Sequence, residues 1–426
     1  MLGQGESKMQ KLISVLIALL LWGLLSVAAV FAYHDSLYVT VNGVRLRSEQ
    51  IRAFEQQAGV IMRSGHYWYD PGTEQWGIRN GPALGRLHAA QTQQTAESRR
   101  HAPMSHRTSL APALEDEVPL YDKEKLAKEK SRLQMRVQQI WTQAFLPILT
   151  AEEKRRLEGV QLQFPLVGSE NPLIDFHADS EKKTVDLPVV SLLFFEDLST
   201  AYAWLWSNNY SLSTIDEYVA MLKYRKASSF PDGRHPLPLP ALHIPDQALA
   251  DSRVDGLSLR FRNSAFAFIL AHELGHVYWR HPPFYTDVTL QQAKDHETQA
   301  DDFALDLLRR TATIPMGATL FFQASAYWFP NRGDYATQQK WYTYLKEGAT
   351  HPLTAERLRL LARRMDAAAA DFSRHEQNQR FGIEAVHFIA RGIAQIATVL
   401  EDTELQRFMA KKTAQADLDS LRPRRQ

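Results

Sequence analysis

The strongest constraint in this chain is an apolar run, residues 265–281, with two histidines and a glutamate set in its middle. Phe266, Phe268, Ile269, Leu270, Leu274 and Val277 recur at helical rather than alternating spacing, so the run reads as a buried helix. Inside it stands His272-Glu273-Leu274-Gly275-His276. A carboxylate buried between two imidazoles is costly unless a cation or hydrogen bonds compensate it. On a helix, residues four apart project from one face, so His272 and His276 can grip a single zinc ion. Glu273 then sits beside the first ligand, where its carboxylate can take a proton from a metal-activated water.

Two imidazoles leave a tetrahedral ion short of a protein ligand. The next helical segment offers Glu297-Thr298-Gln299-Ala300-Asp301, whose two carboxylates are one turn apart on one face. Glu297 is the candidate third ligand. Asp301 is the candidate partner for the outer nitrogen of a ligating histidine, fixing its tautomer. The opposing reading is a solvated acidic face shared with Asp295, His296 and Asp302, and it loses weight beside the upstream pair. A third histidine six residues past the second is excluded, because that position is Pro282 and His281 is one residue out of register. The chain contains no cysteine. Thiolate metal sites, disulfides and cysteine nucleophiles are therefore excluded, and His with carboxylate is a ligand set that suits catalytic better than structural zinc.

These motifs resemble those of the gluzincin zinc peptidases, the family that includes HtpX, the periplasmic protease BepA and the CAAX prenyl endopeptidases. Thr350-His351-Pro352 followed by Glu356-Arg357-Leu358 is similar to that family's His-Pro segment and downstream arginine, and Ile314-Pro315 opens a helix through Phe322 as in its layout. The resemblance covers roughly residues 260–366. It implies an α+β, mostly helical, zincin-like catalytic domain with a small sheet. It also implies one Zn2+ per chain on His272, His276 and Glu297, with Glu273 as general base and Asp301 behind the ligands. His351 or Arg357 would stabilise the oxyanion, and the substrate would be a protein or peptide. Two features depart from the family: the gap between His276 and Glu297 is short, and the Asn-Ala-Phe strand that often precedes its active helix is not recognisable. Short-gap zincins related to phage-encoded regulators, or to the phage-exclusion protease Lit, have a similar core, so the subfamily stays open.

Basic and acidic residues nearly cancel, 49 against 48, so no nucleic-acid or acidic-polymer partner is indicated. Residues 12–32 are apolar almost without interruption behind Lys8 and Lys11, long enough as a helix to cross a bilayer. The segment reads as a transmembrane anchor, with a secretory signal ending at Val30-Phe31-Ala32 as the alternative. Lysines on the short side place that side in the cytoplasm and the catalytic region outside it, periplasmic or, after cleavage, secreted.

The remaining chain divides into a small aromatic-rich module (37–87), a polar linker (88–120) and the catalytic domain (121–412). In the module, Tyr38-Val39-Thr40-Val41 alternates like a strand, Asn42-Gly43 reads as a turn, and Ser48 reads as a helix cap. Tyr67-Trp68-Tyr69 and Trp76 flank the Pro71-Gly72 turn; they are read as the module's core in preference to a wall-binding surface. Residues 123–157 read as one amphipathic helix, and short segments near Phe164, Ile174, Phe176 and Val185 as a small sheet. Helices are expected over 188–206, 214–226, 315–327, 336–347, 355–370 and 381–407, the last too polar to span a membrane. Residues 230–262 read as a Pro-rich loop carrying His235 and His243, and the Arg422–Arg425 end as a frayed tail. The expected function is a membrane-tethered zinc endopeptidase. The alternatives are a cell-wall amide hydrolase and a non-catalytic chaperone or scaffold on the same fold.

Overall fold

The computed structural model describes residues 39–42, 44–46, 50–51, 54, 65–70, 73, 75–78 and 83–86, and then 120–169, 171–282, 288–347 and 351–425. The apolar segment 12–32, the Ser48 cap and the linker up to residue 119 lie outside the described residues. Two units emerge, one drawn from residues 1–101 and one from 102–425.

The first unit is a sheet of β1 (Val39–Val41), β2 (Val44–Arg45), β3 (Gly65–Asp70), β4 (Gln75–Ile78) and β5 (Ala83–Arg86), in the order β2-β1-β3-β4-β5. β1 runs parallel to β3 and the other pairs are antiparallel. Asn42, at a φ of 51°, makes the first turn, and its side chain exchanges two hydrogen bonds with the backbone of Tyr69. Val39, Ile51, Tyr67 and Trp76 are buried together, with Phe54 edge-on to Trp76. Among the described residues, two of the aromatics therefore share the core of this unit with Val39 and Ile51.

The second unit opens with α1 (Lys123–Gln139), capped by Asp122. The single helix expected to 157 is broken. After a π turn (Ile140–Phe145) and a 3-10 turn carrying Pro147, the chain restarts as α2 (Ala151–Leu157) on a Thr150/Glu153 capping box. Pro147 has no N–H to give to a continuing helix, and Thr150 and Glu153 supply a new N-terminus. Three strands follow: β6 (Gln161–Gln163), β7 (His177–Asp179) and β8 (Thr184–Asp186). They form a sheet in the order β6-β8-β7, with β8 parallel to β6 and antiparallel to β7.

The helices then run α3 (Val189–Ser207), α4 (Ser213–Tyr224), the short α5 (Pro238–Ala241), α6 (Ser252–Trp279), α7 (Leu290–Arg310) and α8 (Met316–Trp328). They continue with α9 (Gln338–Glu347), α10 (Ala355–Ala367), α11 (Ala369–Phe372), α12 (Gln379–Glu401) and α13 (Thr403–Ala414). The expected loop 230–262 ends early, because α6 begins at Ser252. Asp251 accepts from the backbone of Arg253 as a cap, and Val254, Ser258 and Phe261 turn inward at helical spacing from a polar stretch that hides the pattern.

α6 is the axis of this unit. From Ser264 to Val277 every residue is buried, with α3, α7, α8 and β7 packed around it. Burying one such Phe or Leu side chain contributes about 1.5–3 kcal/mol, so this helix can move only with the whole core. Phe268 lies edge-on to Phe322 of α8, with ring centroids 5.5 Å apart, and Phe176, Phe195 and Phe321 pack at tilted angles beyond. α8 crosses α6 at Gly317, where a Cβ would lie 2.0 Å from the backbone nitrogen of Ala265.

α12 buries one stripe, Val386, Ile389, Ala390, Ile393, Ile396 and Ala397, against α8 and α10. By length and composition alone it is apolar enough to cross a membrane (mean hydropathy 1.4), so polarity does not exclude a span, contrary to the expectation above. The Arg-rich end is also corrected: Leu421 is buried, Arg424 pairs with Glu217 at 2.6 Å, and Arg425 bridges to Tyr210.

Candidate metal centre

Helices α6 and α7 meet at a glycine. A Cβ at Gly275 would sit 2.9 Å from Ala300 Cα and 3.2 Å from Phe303 Cβ, so only glycine permits this approach. The consequence is that His272 and His276, one turn apart on α6, face Glu297 and Asp301, one turn apart on α7. All four are buried.

His272 Nε2 and His276 Nε2 are 3.2 Å apart, and each lies 3.4 Å from an oxygen of Glu297. The two nitrogens face different oxygens of the carboxylate, His272 Nε2 towards Oε2 and His276 Nε2 towards Oε1. Metal–nitrogen bonds of about 2.0–2.1 Å at the tetrahedral angle separate ligand atoms by about 3.3–3.4 Å, close to each of these spacings. His351, at the start of the segment entering α10, joins them: the four residues offer ligand atoms that all lie within 4.8 Å of one another. Its Nδ1 is 2.8 Å from Glu297 Oε1. This group could hold a metal ion.

Behind the group stands a layer of charge. Asp301 Oδ1 is 3.0 Å from His272 Nδ1, within ion-pair distance but off the line of a hydrogen bond. Arg357 donates to Asp301 through Nε (2.7 Å) and Nη2 (2.8 Å), and its Nη1 is 2.6 Å from Glu297. The guanidinium is buried and faces the carboxylates, a bidentate geometry that lysine cannot copy. Two buried carboxylates, Glu297 and Asp301, thus share one arginine.

The electrostatics fit a cation. Burial presses the His272 imidazole down, but Asp301 and Glu297 outweigh it and raise its pKa to about 10. A field that favours a proton there favours a divalent cation equally. Burial likewise works against the Glu297 anion, yet the charges of His351 and Arg357 hold its carboxyl well below the usual range. His276 goes the other way. Burial, helped by the neighbouring imidazoles, pushes it well below its ordinary value, which keeps it in the neutral form that ligates a metal. Glu273 Oε2 is buried and accepts no hydrogen bond among the described residues. Burial raises the Glu273 carboxyl, making it a stronger base than a solvated glutamate.

The structure brings together His272, Glu273, His276, Glu297, Asp301, His351 and Arg357. His235 is elsewhere, with its Nε2 2.6 Å from the carbonyl of Arg225, and His243 is held near the carbonyl of Leu418. Two residues that the motifs did not single out also reach the site. His281 Nδ1 is 2.9 Å from His276 Nδ1, and His281 Nε2 is 2.9 Å from Gln299 Oε1. The turn that makes this possible is Arg280, whose φ of 56° caps α6 in the left-handed region and folds residue 281 back over the last turn. The only sequence signal was a histidine just past the helix end. On the other side, β7 lies along α6, and its His177 pairs with Asp186 of β8 at 3.0 Å.

A protein-family model described as Peptidase U49 matches residues 261–377, a span that runs from α6 past α11 and contains all seven of these side chains. No curated protein and no solved structure matches the chain. The family match supports a peptidase, and so a protein or peptide substrate.

Proposed function

We propose that this chain is a membrane-tethered, zinc-dependent endopeptidase. The observation that carries the reading is the pair of imidazole nitrogens, His272 Nε2 and His276 Nε2, 3.2 Å apart and each 3.4 Å from one of the two oxygens of Glu297, beside a buried Glu273 oxygen that has no hydrogen bond among the described residues. Zinc is the ion that suits two imidazoles and a carboxylate at such spacing. When bound, it supplies the Lewis acidity that polarises a peptide carbonyl and lowers the pKa of a water molecule.

The chain's own residues do the rest. Glu273 takes the proton of the attacking water and returns it to the leaving amine. Arg357 clamps Glu297 and Asp301, and Asp301 sets its charge 3.0 Å from the outer nitrogen of His272. This geometry commits the guanidinium to the carboxylates, so the oxyanion role goes to His351. Its Nδ1 lies 2.8 Å from Glu297 Oε1, and against burial Glu297 raises its pKa, so that carboxylate orients the ring whose other nitrogen would face substrate. β7, an edge strand beside α6, is the place for an extended substrate backbone to add. The apolar segment 12–32 is the proposed anchor, and it puts the catalytic region on the extracytoplasmic side.

Glu273→Gln in the full-length chain tests this reading. The variant should bind zinc stoichiometrically and cleave a denatured test protein about 10²–10⁴-fold more slowly than wild type. Equal cleavage rates would remove Glu273 from the mechanism, and a wild-type chain that takes up no zinc would end the metal reading.

A further inference from the structure

Resting on the metal reading above, we infer that His281 is the positioning residue for His276, and that it acts as a neutral hydrogen-bond acceptor held in one tautomer by Gln299. A ligating histidine needs a partner on its outer nitrogen to fix ring and tautomer, usually a carboxylate, a carbonyl or water. His272 has a carboxylate, Asp301. His276 has an imidazole instead: its Nδ1 meets His281 Nδ1 at 2.9 Å.

Two ring nitrogens at that distance share one proton, so one must donate and the other accept. If His276 Nε2 is to face a metal it must be bare, which puts the proton on its Nδ1 and makes His281 Nδ1 the acceptor. A neutral His281 then carries its own proton on Nε2 and needs an acceptor there. Gln299 presents Oε1 at 2.9 Å. Read from the metal outward or from the amide inward, the proton order is the same.

His281 is built into place rather than draped there. Its backbone N–H bonds to the carbonyl of His276 at 3.0 Å, its carbonyl accepts from Ser180 Oγ at 2.6 Å, and its ring stacks on His296 with centroids 4.2 Å apart. Gln299 lies two residues from both Glu297 and Asp301 on α7, so one turn of that helix serves both histidines. A carboxylate backs the first and an uncharged relay the second.

The test compares His281→Asn, His281→Phe and Gln299→Leu with wild type and His276→Ala, all as full-length chains. Zinc affinity is read by competition with a chromophoric chelator, and geometry by the visible spectrum of the Co2+ form. Asn keeps an acceptor near the place of the imidazole Nδ1 but gives up the ring. Phe keeps the ring over His296 and gives up the acceptor. Phe should weaken zinc binding about 10–100-fold and alter the Co2+ spectrum, whereas Asn should stay within about threefold with its spectrum intact. Leu at 299 should fall between them. Asn failing while Phe is tolerated would mean that His281 is only packing, and the inference is overturned. Zinc binding that is lost in His276→Ala but unmoved in all three other variants would overturn it too, leaving the metal reading in place. A wild-type chain that binds neither zinc nor Co2+ would bring down both.

Discussion

Arg357 holds two carboxylates that face buried imidazoles, so its charge is the site's permanent counterweight. Removing one partner of a buried ion pair costs about 3–5 kcal/mol, because the other charge is left uncompensated. Arg357→Met should therefore lower the stability of the metal-free chain by about that amount in urea unfolding. Arg357→Lys should recover part of it but not catalysis, since a lysine ammonium cannot span Asp301 bidentately. If the lysine variant cleaves a test protein at the wild-type rate, the bidentate clamp has no catalytic value. At this scale the sequence was informative wherever chemistry repeats along one helix. His272 and His276 declare themselves by a separation of four, and Glu297 and Asp301 likewise. His281 and Gln299 do not, because their meeting depends on a left-handed residue at 280 and on the register of a neighbouring helix. Neither leaves a periodic trace.

The contact of α6 with α7 turns on Gly275, which makes it the most direct probe of how closely two elements must approach. Gly275→Ala should cost about 1–3 kcal/mol through overpacking. It should also weaken metal binding, because α7 carries Glu297 outward as it yields. Unchanged zinc affinity would mean that α7 rotates rather than translates. The β7–β8 pair gives a pH-dependent prediction. The hydrogen bond and charge of Asp186 raise His177 to about 9, against burial that lowers it. A histidine whose folded pKa is raised contributes stability fully present below its unfolded value, about 6.5, and lost as pH climbs through 9. His177→Gln should therefore lower the urea midpoint at pH 6 and leave it close to wild type at pH 10. Equal losses at both would show that the pair acts through packing, not charge. Most of the helices were legible from apolar spacing, including α3, α8 and α10, to within a few residues. The failures have physical causes. The start of α6 is hidden by Arg253, Asp255 and Gly256, and the break after α1 needed Pro147 to outweigh an unbroken amphipathic pattern.

At the scale of the molecule, α6 belongs at once to the core and to the metal centre, so loading the site should be felt as stability of the whole second unit. The order in which α3, α7 and α8 surround α6 could not be read from the chain, since each offers an apolar stripe that would fit any neighbour. A metal on the proposed ligands His272, His276 and Glu297 would remove that freedom at one point by joining α6 to α7. A ligand that binds only the folded state adds RT ln(1 + [L]/Kd), about 4 kcal/mol when zinc is present at a thousand times its Kd. Chelation should thus lower the thermal midpoint of the full-length chain by several degrees, at roughly 2–4 °C per kcal/mol for a domain of this size. Zinc should restore it. Mg2+ should not, because it demands octahedral oxygen ligands that two imidazoles cannot supply. Glu297→Ala and His276→Ala should melt at the same temperature with and without chelator, which separates a site effect from a general effect of chelator on the protein. A wild-type midpoint indifferent to chelator and to added zinc would mean that no ion joins α6 to α7. The buried carboxylates would then have to be balanced by Arg357 and by protons on His272 and His351.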